Sequence, residues 1–168
     1  SSSVAITENS DTVAVASGTY TESVDISTDG LTLEGPNADT SYDGDRGDEA
    51  VIEQPSGERA ISITSDDIEI SGFEILGNGG SSTIAVSGSN NELSGTVTIT
   101  NNTVESGGSN TVLISDDSSP GGPNEVVISG NKLNDTSGIA AVNVFDGATH
   151  ARVEITNNEL SGDPGGLR

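Results

Sequence analysis

Cysteine, methionine and tryptophan are absent from the chain, and histidine and lysine occur once each, as His150 and Lys132. Without cysteine, no disulfide supports the fold. Without cysteine or methionine, and with a single imidazole, soft metals lack their donors. Only 5 basic residues stand against 27 acidic ones, for a formal net charge of −22 over 168 residues. A nucleic-acid partner is excluded, because there is no basic stripe to displace counterions from phosphates. Anionic membrane surfaces are disfavoured for the same reason. No apolar run is long enough to span a bilayer, so no membrane insertion is expected. There is no recognisable signal peptide, and the chain begins at Ser1. A processed or trimmed product is therefore expected, which points to export.

What is present is alternation. "VAVAS", "VDIS", "LTLEG", "ISITS", "IEISGFEI", "IAVSG", "VTIT", "VLIS", "VNVF" and "VEIT" each place an apolar residue at every second position. Period two marks strands with one buried face. Gly, Asn, Asp and Ser fill the gaps between them, as turns require. No segment has helical apolar spacing. Val, Ile, Leu and Phe make up just under a quarter of the chain, so pattern rather than composition decides that it folds. The length fits one domain spanning 1–168. High Asp and Glu with almost no Lys resembles proteins of extreme halophiles, in which salt screens self-repulsion.

The alternation repeats at long range. "ISGFEILG" (70–77), "ITNNTVESG" (99–107), "ISGNKLND" (128–135) and "ITNNELSG" (155–162) begin at steps of 29, 29 and 27 residues. Such a period marks a repeat architecture. In register, Ile70, Ile99, Ile128 and Ile155 form one apolar column, and Ile75, Val104, Leu133 and Leu160 another. Between them stand Gly72, Asn101, Gly130 and Asn157, the residue types that accept a left-handed turn. Phe73, Asn102, Asn131 and Asn158 follow. Asn102, Asn131 and Asn158 are expected to point inward and bond the backbone of neighbouring coils as a structural ladder. A second strand precedes each phrase, at Ile61–Ile63, Ile84–Val86, Val112–Ile114 and Val142–Val144. Stacking equivalent strands in parallel gives an all-β solenoid of about six coils, with strands about 4.8 Å apart.

Residues 11–37 ("DTVAVASGTYTESVDISTDGLTLEGPN") and 51–75 resemble the opening of right-handed parallel β-helix proteins of the pectate-lyase-like superfamily. That superfamily includes pectin-methylesterase-like and periplasmic copper-binding-type repeats. The resemblance implies a right-handed parallel β-helix and leaves function open, because the fold hosts lyases, hydrolases, esterases, adhesins and phage spikes. Gly18–Glu22 matches the G-x-Y-x-E segment of pectin methylesterases, a packing element there. The catalytic segments of that family are missing. Polygalacturonase-like hydrolysis would need more than His150, and there is no Arg-x-Lys element. Pectate-lyase-like chemistry needs Ca²⁺ with a clustered base, whereas Arg46, Arg59, Arg152 and Arg168 are read as scattered over different loops. Copper binding fails on a single histidine. The expectation is therefore no enzyme activity and no cofactor.

Three kinds of site are carried forward. Asp43, Asp45, Asp48 and Glu49, in "SYDGDRGDEA" (41–50), offer oxygen ligands on a flexible turn, as Ca²⁺ requires. A solvated acidic loop is the alternative reading. "SDDSSPGGPNE" (115–125) is a second acidic loop. Asn134 and Asn101 head sequons and can carry glycan on export, with Asn134 expected just outside a coil column and Asn101 hindered beside the ladder. Tyr42 is the aromatic ring expected at the surface for a polysaccharide, with Phe73 assigned to the core and Tyr20 beneath a turn.

A solenoid must also cap its ends. The outermost rungs are read at Val4–Ile6 and Val153–Ile155, with no amphipathic helix over either. This leads to an expected homo-oligomer by end-to-end stacking, or to flanking domains of a longer chain. The functional expectation is a non-catalytic structural or interaction protein at an extracellular, cell or virion surface. A carbohydrate-active module that binds or cleaves polysaccharide is the alternative. The charge yields a direct expectation: the β-sheet circular dichroism of the protein collapses as salt falls from molar to millimolar. An unchanged signal and melting temperature over that range would remove the halophilic reading.

Overall fold

A computed structural model describes residues 11–87, 95–115, 125–136, 138–144 and 152–162. Among them are seventeen strands and no helix. The first coil holds β1 (Thr12–Ala14), β2 (Gly18–Thr21) and β3 (Val24–Ile26), and the second holds β4 (Thr32–Glu34), β5 (Ala50–Glu53) and β6 (Ile61–Ile63). The third holds β7 (Ile68–Ser71), β8 (Phe73–Leu76) and β9 (Ile84–Ser87), and the fourth β10 (Thr96–Thr100), β11 (Thr103–Ser106) and β12 (Asn110–Ser115). The fifth holds β13 (Glu125–Ser129), β14 (Lys132–Asp135) and β15 (Ala140–Val144), and the sixth β16 (Arg152–Thr156) and β17 (Glu159–Gly162).

Each strand pairs in parallel with the strand three places on, giving three sheets: β1-β4-β7-β10-β13-β16, β2-β5-β8-β11-β14-β17 and β3-β6-β9-β12-β15. The chain is thus a parallel β-helix of six coils, here called sheets A, B and C. The register puts like residues over like. Val13, Leu33, Ile70, Ile99, Ile128 and Ile155 form one inward column. Tyr20, Ile52, Ile75, Val104, Leu133 and Leu160 form the facing one. Sheet C adds the column Val24, Ile61, Ile84, Val112 and Val142. In the middle coils these side chains are fully buried, and those of the end coils are partly covered. β-branched side chains suit a stack of this kind because their stiff rotamers fill a pleated surface with little entropy to lose.

In coils 3 to 6 the corner between sheets A and B turns on one left-handed residue. Gly72, Asn101, Gly130 and Asn157 have φ of 80°, 56°, 67° and 54°. This left-handed conformation is open to glycine and tolerated by asparagine. Coil 2 departs from the rule, because between β4 and β5 the chain leaves the corner for residues 35–49. That excursion lies against the corner of coil 3, where a Cβ on Gly72 would sit 2.2 Å from the Ala38 nitrogen. Gly72 is therefore required twice, by its dihedral and by close backbone approach. Gly72→Ala is expected to destabilise the protein by at least about 2 kcal/mol, the cost of left-handed strain with the clash added. Denaturant unfolding checks this; a change within about 0.5 kcal/mol, ordinary for a surface site, would contradict it.

Candidate functional site

The polar groups organised by this fold lie at its corners. Asn102, Asn131 and Asn158 point inward and bond in a fixed pattern. The Oδ1 of each accepts the main-chain N–H at the equivalent position one coil earlier: Phe73 N–H to Asn102 (3.0 Å), Asn102 N–H to Asn131 (2.8 Å) and Asn131 N–H to Asn158 (2.8 Å). The Nδ2 of each donates to the corner carbonyl of the same earlier coil: Asn102 to Ile70 (3.1 Å), Asn131 to Ile99 (2.8 Å) and Asn158 to Ile128 (2.7 Å). At the ladder position the chain has left the sheet, so its main-chain N–H needs another partner, while the isoleucine carbonyls belong to strands and gain a further donor. An amide carries both a donor and an acceptor and serves the two at once.

The ladder stops at Phe73. In coil 2 the equivalent position is Ala50, which follows the 35–49 excursion rather than a one-residue corner. An asparagine at 73 would face no closed corner there. The Phe73 ring, fully buried, instead fills the space beside Ala50 and Gly35; a Cβ on Gly35 would approach it to 3.3 Å.

The excursion 35–49 is a strap across four coils. The Gly35 N–H donates to Ser71 O (2.8 Å), Asn101 Nδ2 donates to Ala38 O (2.6 Å), and the Tyr42 N–H donates to Gly130 O (3.1 Å). Arg46 fixes its return. Its Nη1 donates to the carbonyls of Asn101 (2.7 Å) and Thr40 (2.9 Å), and its Nη2 donates to that of Phe73 (3.4 Å). The same guanidinium forms a fork with Glu49, with Nε to Oε1 at 2.7 Å and Nη2 to Oε2 at 3.0 Å. Only 10% of the Arg46 side chain is exposed, so the "RGD" tripeptide presents no free arginine. One planar cation with several fixed donors can serve three carbonyls and a carboxylate together.

The residues offered as oxygen ligands for Ca²⁺ are not gathered at one point. Glu49 is held by Arg46, and Asp43 accepts from the Ser41 hydroxyl at 2.7 Å. Asp43, Asp45 and Asp48 are exposed, and among the described residues no three His, Asp or Glu side chains gather into a metal site. The return of the strap is fixed by Arg46. Tyr42 is half-buried where an exposed ring was expected, since its main chain is pinned to Gly130. Tyr20 packs against the core and donates its hydroxyl to Ala16 O (3.0 Å). His150, Phe145, Arg168, the Val4–Ile6 rung and most of the acidic loop 115–125 lie outside the described residues.

The sequons are placed differently from one another. Asn101 is half-buried beneath the strap, and the nitrogen that would carry a glycan already donates to Ala38 O. Asn134 lies within β14 on the outer face of sheet B, not beyond a column. Its Oδ1 accepts from the Ser161 hydroxyl at 3.1 Å.

The outer faces carry short polar side chains and carboxylates. Along sheet A the register aligns Thr12, Thr32, Glu69, Thr98, Val127 and Glu154. Along sheet B it aligns Thr21, Glu53, Leu76, Glu105, Asn134 and Ser161. No aromatic ring stands in either row. Arg152 lies on a strand, not a loop, and is taken by Glu125 and Glu154. Lys132 pairs with Glu159 at 3.1 Å. A shallow cleft of about 370 Å³ opens between sheets B and C beside Thr21, Glu53, Pro55, Ser56, Leu76 and Asn78. Its walls are joined by buried Gln54, whose Nε2 donates to Gly79 O (2.5 Å) and to Glu58 O and whose Oε1 accepts the Asn78 N–H (3.3 Å). Nothing in the sequence pattern marks Gln54; only its placement under two loops does.

No family model, curated protein or solved structure matches the chain. The β-helix assignment rests on the strand pairing alone.

The ladder and the strap make separable predictions. Asn131 is fully buried and bonded on both sides, so Asn131→Ala is expected to cost about 1–3 kcal/mol per group left unsatisfied. Asn158→Ala, at the partly exposed end, should cost less. Equal and small losses in denaturant unfolding would contradict the ladder. Arg46→Ala leaves Glu49 and three carbonyls without their donor and should cost about 3 kcal/mol, as loss of one partner of a buried pair does. A loss below about 0.5 kcal/mol would mean that the strap is held by its backbone alone.

Proposed function

We propose that this protein is a non-catalytic structural or interaction module at an extracellular, cell or virion surface, with the pectate-lyase-like type of β-helix and adapted to high salt. The observation that carries this reading is the division of polar groups. The organised ones, the amide ladder and the Arg46 strap, face inward or across corners and brace the coils. The outward rows are mostly Thr, Ser, Asn and carboxylates, broken by Val127 and Leu76, and the cations Lys132 and Arg152 are spent on neighbouring carboxylates. Such a surface stays hydrated and soluble, and the net charge of −22 favours a screened, salt-rich setting.

A second reading, polysaccharide binding, draws on the cleft beside Glu53. Leu76 and Pro55 offer an apolar floor there, and Thr21, Ser56 and Asn78 offer hydrogen bonds. Hydrolysis at that place is disfavoured, because glycosidic cleavage uses two carboxylates and the cleft is lined by one. An acidic saccharide would be repelled by Glu53.

The test is direct. The protein in molar salt is incubated with polygalacturonate and with a neutral glucan. The structural reading expects no new reducing ends, no unsaturated product and no binding by calorimetry. Cleavage of either polymer would overturn it; binding of the neutral glucan, lost on Glu53→Gln, would establish the second reading instead.

A further inference from the structure

The loop after β8 reads Gly77-Asn78-Gly79-Gly80 and holds the one Asn-Gly pair in the chain. Asn78 is exposed and lines the cleft beside Glu53. Gly79 has a φ of 81°, and a Cβ there would meet open space. The main chain on either side of the pair is held. The Asn78 N–H donates to Gln54 Oε1 (3.3 Å), and the Gly79 carbonyl accepts from Gln54 Nε2 (2.5 Å). The groups between these bonds are free. Among the described residues, neither the Asn78 side-chain amide nor the Gly79 N–H has a hydrogen-bond partner. Comparable places differ at these same atoms. Asn37 is buried, accepts the Gly47 N–H (2.7 Å), donates to Asp48 O (3.5 Å) and is followed by alanine. In Asp29-Gly30 and Asp43-Gly44 the glycine N–H is already given, to Asp66 O (3.0 Å) and to Ser41 O (3.0 Å).

We propose that Asn78 is a modification site, where the chain deamidates itself through a cyclic imide, and that the isoaspartyl product loosens the wall of the cleft. The Gly79 nitrogen attacks the Asn78 Cγ. A C–N bond forms there, the bond from Cγ to Nδ2 breaks, and ammonia leaves with the proton lost from the Gly79 nitrogen. Water then opens the imide. Addition at Cγ gives aspartate; addition at the Asn78 main-chain carbonyl gives isoaspartate, in which the chain runs through Cβ and Cγ. Water is the one co-reactant, and nothing is oxidised or reduced. Glycine suits the following position because it has no Cβ to crowd the nitrogen as the ring closes. Both products put a carboxylate where an amide stood, in a cleft that already holds Glu53. Isoaspartate also adds one main-chain atom between the Asn78 N–H and the Gly79 carbonyl. Gln54 grips those two groups with the two ends of one planar amide. A rigid amide cannot span the longer segment, so one of the two bonds is lost, while the bond from Nε2 to Glu58 O remains.

The protein is aged in molar salt at mildly alkaline pH, where more of the Gly79 nitrogen is deprotonated, and is then digested for peptide masses. Conversion at Asn78 is expected to be at least about tenfold faster than at Asn37, about 1.4 kcal/mol in barrier. Asn78→Gln should remove the early conversion, because its longer side chain must close a larger ring. Conversion at Asn78 no faster than at Asn37 overturns the proposal. A second readout follows the product. The aged protein is separated by ion exchange into aspartyl and isoaspartyl forms, each checked for an unchanged β signal. Hydrogen exchange at the Gln54 side-chain amide is then read by NMR. It is expected to be at least about tenfold faster in the isoaspartyl form than in fresh protein, as a local opening would make it. Asn78→Asp should match fresh protein. Equal rates in the fresh and isoaspartyl forms overturn the loosening of the cleft. The same acceleration in Asn78→Asp, which has the charge without the added atom, overturns it too. Neither readout involves a glycan, so a failure here is distinguishable from a failure of either functional reading.

Discussion

Every described strand finds its main-chain partners in a neighbouring coil, never in its own coil. That single constraint orders the rest. A strand whose partner lies one full coil away must repeat its inward residues in register, or the core column breaks. Hence isoleucine stands over isoleucine from Ile70 to Ile155. It also makes the corners the weak points, because there the main chain turns out of the sheet and leaves an N–H without a strand partner. Asn102, Asn131 and Asn158 answer that need with one side chain per coil.

The strap is a second answer to the same need. Where coil 2 lacks a corner, residues 35–49 pass outside the corners of coils 3 to 5, and Arg46 reaches back to the carbonyls of Phe73 and Asn101. The amide ladder braces the corner column from within, and the guanidinium braces it from outside. Both depend on the left-handed residues at the turn. Gly72 lets the strap approach, and Asn101 adds a bond to it through its own side chain. Core, ladder and strap are therefore coupled through the same four corners.

Function lies in what this arrangement leaves outside. The organised hydrogen bonds are consumed in bracing, and the outward rows keep mostly hydroxyls, amides and carboxylates, with Lys132–Glu159 and Arg152–Glu125 as ion pairs between neighbouring coils.

Much of this was legible in the residues alone. Period-two alternation and the steps of 29, 29 and 27 residues determined the solenoid, its coil number, the apolar columns and the turn and ladder positions. Those features are local in register: each is set by which residue recurs at which place, and stacking acts on every coil alike. What only the tertiary structure decided are the places where the period is broken. The 35–49 segment read as an acidic loop with oxygen ligands. Its role depends on Arg46 meeting carbonyls 27 and 55 residues away, and no local pattern encodes that reach. Asn134 fell within a strand, and Gln54 became the tie between two loops, for the same reason. A repeat announces itself through sameness, whereas an insertion takes its meaning from whichever neighbours the stacked coils bring to it.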